Sequence, residues 1–133
     1  MENEYMSLRE MQLVCLEMLR LVDKICKKER LCYFLSGGTL LGAIRHKGFI
    51  PWDDDIDLMM PRPDLERFLR VAPKYMSKRY SMAFPLQAED YAFPWVRIHD
   101  NLTAVEDKGM QKARTRTLFM DIFPIEGLPS NPR

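Results

Sequence analysis

A chain of 133 residues fits one domain, and 47% hydrophobic residues suffice for a real but small core. Its 20 Lys and Arg nearly balance 19 Asp and Glu, which argues against a general nucleic-acid binder with its strong basic excess. No apolar run reaches the ~18 residues of a spanning helix. The acidic start Met1-Glu2-Asn3-Glu4 lacks the basic opening of a signal peptide. The three cysteines, Cys15, Cys26 and Cys32, are odd in number, have no metal-ligand spacing and read as buried reduced thiols, which fits a cytoplasmic setting.

Residues 7–30 are predicted as one amphipathic helix. Leu8, Met11, Cys15, Met18, Val22 and Ile25 recur at steps of three and four. Ser7 and Glu10 have the spacing of a capping box. The apolar run 31–36 suits a buried strand, broken by Gly37-Gly38, and Thr39 to His46 reads as a short helix with Gly48 beyond its end. After a turn at 50–52, residues 55–60 alternate as a strand. Pro61-Arg62-Pro63-Asp64 opens a helix that buries Leu65, Phe68, Leu69 and Ala72. Further strands are predicted at 79–84, 94–99 and 117–123, with a loop bracketed by Pro85 and Pro94. Residues 106–116, with Lys108, Lys112, Arg114 and Arg116, read as a mobile basic segment. The turn-rich 128–133 reads as a connection leading elsewhere, so the chain is expected to lack a C-terminal part. The expected architecture is a single α/β (α+β) domain, 1–133, with a mixed sheet.

Three features carry chemistry. The first is Asp53-Asp54-Asp55-Ile56-Asp57. On a strand, Asp55 and Asp57 share a face, and two adjacent carboxylates repel unless a cation lies between them. Hard oxygen ligands suit Mg²⁺ or Mn²⁺, which also bind phosphates. A solvated acidic turn is the plain rival, weakened by the apolar strand that follows. An EF-hand loop using Asp53, Asp55, Asp57 and Asp64 fails, because Leu58 stands where that loop needs Gly and Asp64 where it needs Glu.

The second feature is Ser36-Gly37-Gly38-Thr39, a strand breaking at glycines into a helix, where backbone N–H groups can cradle phosphate. Asp55 follows Gly38 by 17 residues, so one segment could hold phosphates while the next holds a metal on them. The third is Asp121, a single carboxylate in the apolar run Phe119–Pro124. Such a residue needs a partner, either the metal of Asp55 and Asp57 or an arginine. Arg45 and Lys47 are candidate phosphate contacts or solvated charges. His46 is a candidate base or a surface residue, and Trp52 a base-stacking ring or an anchor for its turn.

The run from Tyr33 to Asp57, followed by Met120-Asp121-Ile122-Phe123-Pro124, closely resembles the two conserved blocks of the LicD family. The resemblance covers roughly residues 5 to 129. It implies a nucleotidyltransferase-type fold with Gly37 and Gly38 as the phosphate-binding turn, Asp55, Asp57 and Asp121 as metal ligands and catalytic carboxylates, and Mg²⁺ or Mn²⁺ as the cofactor, and Ser36, Thr39 and Arg45 are further candidates for the nucleotide. Family members include phosphorylcholine transferases, so the implied donor is CDP-choline-like and the implied acceptor a cell-surface glycan such as lipopolysaccharide or teichoic acid. Fukutin and fukutin-related protein, which transfer ribitol phosphate, are relatives. No nucleic-acid partner is implied, and the expected place is the cytoplasm, with peripheral contact at the inner membrane face. Two alternatives share the fold: a truncated, non-catalytic binding domain and a true nucleotidyltransferase.

Overall fold

The computed structural model describes residues 6–83, 95–107 and 114–126, except for the side chains of 104–107 and 114–116. Helix α1 spans Leu8–Glu29. Its capping box is formed: the Glu10 N–H donates to Ser7 Oγ at 3.2 Å and the Ser7 N–H to Glu10 Oε1 at 3.1 Å. Cys15, Met18, Val22 and Ile25 form its buried stripe, joined by Cys26. Cys32, by contrast, is exposed, because it lies past the helix on the approach to the first strand.

Strand β1 is only Phe34–Leu35, and Phe34 is 53% exposed, so the buried strand expected over 31–36 is corrected to a short edge strand. The sheet order β1-β2-β5-β4-β3 gives the reason: among the described residues, β1 lies at the edge and pairs with β2 alone. Helix α2, Gly37–Arg45, starts at the glycines themselves rather than after them. Strand β2 is Asp57–Pro61, two residues later than the alternation suggested, so Asp55 sits in the approach to the strand. Helix α3, Arg62–Val71, carries proline in its first turn and continues as a 3₁₀ turn, Ala72–Lys74.

Strand β3 is Tyr80–Ala83. Strands β4, Val96–Asp107, and β5, Arg114–Ile125, run 12 residues each, well beyond their apolar cores. Their ladder pairs Glu106 with Thr115 and Asp107 with Arg114, with a register shift between Asp100 and Val105. The expectation of a mobile segment over 106–116 is thereby corrected at both ends. An antiparallel ribbon satisfies its backbone polar groups whatever its side chains are, so apolar periodicity marks only the covered part. Lys108, Lys112 and the loop between Pro85 and Pro94 lie outside the described residues.

The five-stranded sheet is mixed, as expected: β2 and β5 are parallel and the other pairs antiparallel. One face buries Ile56, Leu58, Met60, Val96, Ile98, Leu118, Met120 and Ile122 against α1 and α3. Asp100 also points into this side, fully buried, where Arg79 grips it through Nε at 3.1 Å to Oδ1 and Nη2 at 2.8 Å to Oδ2. The opposite face carries Asp57, Arg97, His99, Phe119, Asp121 and Phe123, none of them in the apolar core cluster. No helix of the described residues is long and apolar enough to cross a membrane.

Phe68 is fully buried on α3 beneath the sheet. Phe68→Ala should therefore lower unfolding free energy by about 3–5 kcal/mol, read as an earlier urea midpoint with an unchanged slope.

Candidate metal and phosphate site

The glycine turn is built by the end of β1 and the start of α2. Ser36 precedes the helix in an extended conformation and makes no side-chain cap bond. Gly37 takes φ +53°, a left-handed conformation that favours glycine. The first turn of α2 contains no acidic residue of its own, so the negative charge near its positive end comes from Asp53 and Asp57. Two bonds tie this turn to β2. The Ser36 N–H donates to the Asp57 carbonyl at 2.9 Å, and the Asp57 N–H donates to Thr39 Oγ1 at 2.9 Å. A Cβ at Gly38 would stand 2.7 Å from Asp53 Oδ2, and one at Gly37 would stand 3.6 Å from Asp57 Oδ2. The turn and the carboxylates are therefore in direct apposition.

Asp53, Asp54 and Asp55 each offer a carboxylate oxygen within 4.8 Å of the others. Burial raises the Asp55 carboxyl to about 7, helped by a hydrogen bond with Asp53 and by the charges of Asp53, Asp57 and Asp54. Burial also raises Asp57, as do the charges of Asp121 and Asp53, while Arg97 opposes the rise. Oxygen donors that repel one another in this way fit a hard divalent cation.

Asp121 lies beside Asp57 because β2 and β5 pair in parallel with those two residues in register. Across β5 on the other side, Arg97 is the register partner of Asp121. Its Nε donates to Oδ1 at 2.8 Å and its Nη2 to Oδ2 at 3.2 Å, while the guanidinium lies 3.7 Å over the Phe119 ring. Of the two partners considered for Asp121, this conformation holds the arginine. Asp57, Asp121 and Arg97 thus form one row across three strands.

The structure brings Ser36, Gly37, Gly38, Thr39, Asp55, Asp57 and Asp121 to this end of the sheet, and adds Asp53, Asp54 and Arg97. Thr39 has a role the sequence did not suggest, accepting the bond that links helix to strand. Arg45 is not brought in. It is exposed in the last turn of α2, roughly 12 Å along the axis from Gly37. His46 packs edge-on to Trp52 at 6.5 Å, and Trp52 is 76% exposed, so it is no buried anchor for its turn. Arg97 was legible only as a polar residue between apolar Val96 and Ile98, since which strand it would face depends on the pairing. Gln12, 4% exposed on the buried stripe of α1, was also missed; a lone polar residue at a core position was its signal.

A mixed sheet with helices packed on its buried face, a glycine turn opening a helix and carboxylates facing it define an α/β domain of nucleotidyltransferase type. Residues 30–131 match the family described as LicD/FKTN/FKRP, nucleotidyltransferase domain, and the chain belongs to that family. It is 43% identical over 132 residues to the lipopolysaccharide cholinephosphotransferase LicD of Haemophilus influenzae, an alignment covering 96% of this chain and 48% of that protein. It is 48% identical over 42 residues to the human ribitol 5-phosphate transferase FKRP, covering 32% of this chain and 8% of that protein. The mannosyltransferase regulator 4 of Saccharomyces cerevisiae is 30% identical over 105 residues, 79% of this chain and 8% of that protein. The chain therefore spans about half the length of the Haemophilus relative and less of the other two.

The raised carboxyls set a pH dependence. A folded pKa above the unfolded value means that the folded chain holds the extra proton, so stability falls as pH rises from about 4 through 7. His99, lowered by burial, acts in the opposite sense, so the comparison must be with a variant. In chelating buffer, Asp55→Asn should raise Tm more at pH 8 than at pH 5. An equal shift at both pH values would remove Asp55 as the strained group.

Proposed function

We propose that this chain supplies the donor-binding and cation-binding half of a metal-dependent phosphotransferase. It would move a phospho-alcohol such as phosphocholine from a CDP-linked donor to a hydroxyl of a cell-surface glycan such as lipopolysaccharide. The observation that carries the reading is the apposition of the Gly37-Gly38 turn to the carboxylates of Asp53 and Asp57. The activity named for the Haemophilus relative supplies the substrate class.

In this reading the donor's diphosphate lies against the first turn of α2, where the amides of residues 37–39 neutralise part of its charge. Asp55 and Asp57, with Asp53 beside them, would hold a Mg²⁺ or Mn²⁺ ion. That ion, when bound, offsets charge on the phosphate oxygens and the leaving group. An acceptor hydroxyl attacks the distal phosphorus in line, its oxygen forming the new P–O bond as the phosphoanhydride bond to the nucleotide breaks, and a nucleoside monophosphate leaves, its departing phosphate taking up the hydroxyl proton. Asp121, a metal ligand and catalytic carboxylate in the family resemblance, has both oxygens engaged by Arg97. That fork favours another division of labour, in which Asp121 orients Arg97 and Arg97 meets a phosphate oxygen of the donor.

Asp57→Asn should reduce Mn²⁺-dependent CDP binding at least about tenfold in calorimetric titration, with unfolding still cooperative. Unchanged affinity would take Asp57 out of the cation site. Gly38→Ala should displace the Asp53 carboxylate, the flexible group nearest the new methyl, and weaken Mn²⁺ binding while changing Tm little. With CDP-choline and an acceptor glycan, cytidine monophosphate should be the nucleotide product. Pyrophosphate released from a nucleoside triphosphate would instead point to nucleotidyl transfer.

A further inference from the structure

Helix α1 ends at Glu29, before the stretch that matches the family begins at residue 30, yet it reaches into the acidic loop. Gln12 lies on the buried stripe of α1 and is 4% exposed. Its Nε2 donates to the carbonyl of Asp53 at 2.8 Å and approaches those of Ile50 and Pro51, each at 3.4 Å. Three carbonyls around one nitrogen fix the amide's orientation, and the Arg9 guanidinium donates to its Oε1 at 3.0 Å. One turn along, the Cys15 thiol stands 3.5 Å from the Asp54 carbonyl. The backbone of 50–54 is thus tied to α1 by two side chains at i and i+3. Within the loop itself, the Asp53 N–H donates to Ile50 O at 2.9 Å.

We infer that Gln12 is a positioning residue for the acidic loop: it sets where the carboxylates of Asp53 and Asp55 stand relative to the glycine turn. A buried amide on an apolar stripe is costly unless its hydrogen bonds are made, and here they are made to the backbone that leads into the carboxylates. Without them the carbonyls of Ile50, Pro51 and Asp53 lose the donor that Gln12 Nε2 supplies from α1. The link to cation binding rests on the function proposed above, whereas the link to loop geometry does not.

Two variants of the full chain test this. Gln12→Met keeps length and volume but removes the N–H donors, and Gln12→Glu puts carboxylate oxygens against the carbonyls. Val22→Ala, in the same helix but away from the loop, serves as the stability control. The first readout needs no metal: amide hydrogen exchange over residues 50–57 should accelerate about tenfold in Gln12→Met, more in Gln12→Glu, and little in Val22→Ala at comparable loss of Tm. The second is Mn²⁺ affinity by titration, which should fall about tenfold in both Gln12 variants and stay near wild type in Val22→Ala. Loop exchange no faster in the Gln12 variants than in Val22→Ala would overturn the inference. If wild type binds no Mn²⁺, the cation reading fails, and loop exchange alone decides whether Gln12 sets the loop.

Discussion

The parallel pairing of β2 with β5 sets Asp57 directly beside Asp121, an arrangement that like charges resist. What holds it is the other side of the same sheet. Leu58, Met60, Met120 and Ile122 are fully buried there, and a slip of one residue would turn each of them outward. The hydrophobic face therefore dictates the register, and the register dictates where the acids stand. Arg97, delivered by β4 at the same level, offsets part of the repulsion by gripping Asp121. The glycine turn depends on the same strand, since Ser36 and Thr39 bond to the two backbone groups of Asp57.

Carboxyls raised above their usual range beside an uncapped helix start make a site with opposed local charges: acids on one side, amide dipoles on the other. Under the function proposed, a phosphate with its divalent counter-ion would meet both. The domain then brings together groups that water would otherwise solvate separately, and the half-buried setting strengthens their interaction. Helix α1 contributes twice. Its apolar stripe supports the sheet that fixes Asp57 and Asp121, and its Gln12 reaches the loop that carries Asp53 and Asp55.

Much of this was legible in local pattern. The capping box at Ser7 and Glu10, the stripe from Cys15 to Ile25, the proline-led α3 and the mixed α/β architecture follow from spacings of three, four and two residues, and such spacings act over neighbouring positions. The glycine turn and the apolar strand after Asp57 were visible for the same reason, whereas the strand alternation expected at Asp55 was not realised, since β2 begins at Asp57. Element ends were less so: β1 shrank to two residues at an edge, and β4 and β5 outran their apolar cores, because pairing extends or curtails a strand independently of its side chains.

By itself the sequence marked the glycine turn and the aspartates as candidates for phosphate and cation contact, since glycine, aspartate and apolar runs declare their chemistry locally. Only the tertiary structure decided which of them meet. Arg97 reaches Asp121 across 24 positions and Gln12 reaches the Asp53 carbonyl across 41, separations at which no periodicity survives. Arg45, a candidate phosphate contact or solvated charge in the sequence, lies at the far end of α2 because a helix carries its last turn away from its first. Contacts of that range are set by sheet register and helix packing, which the buried face as a whole selects.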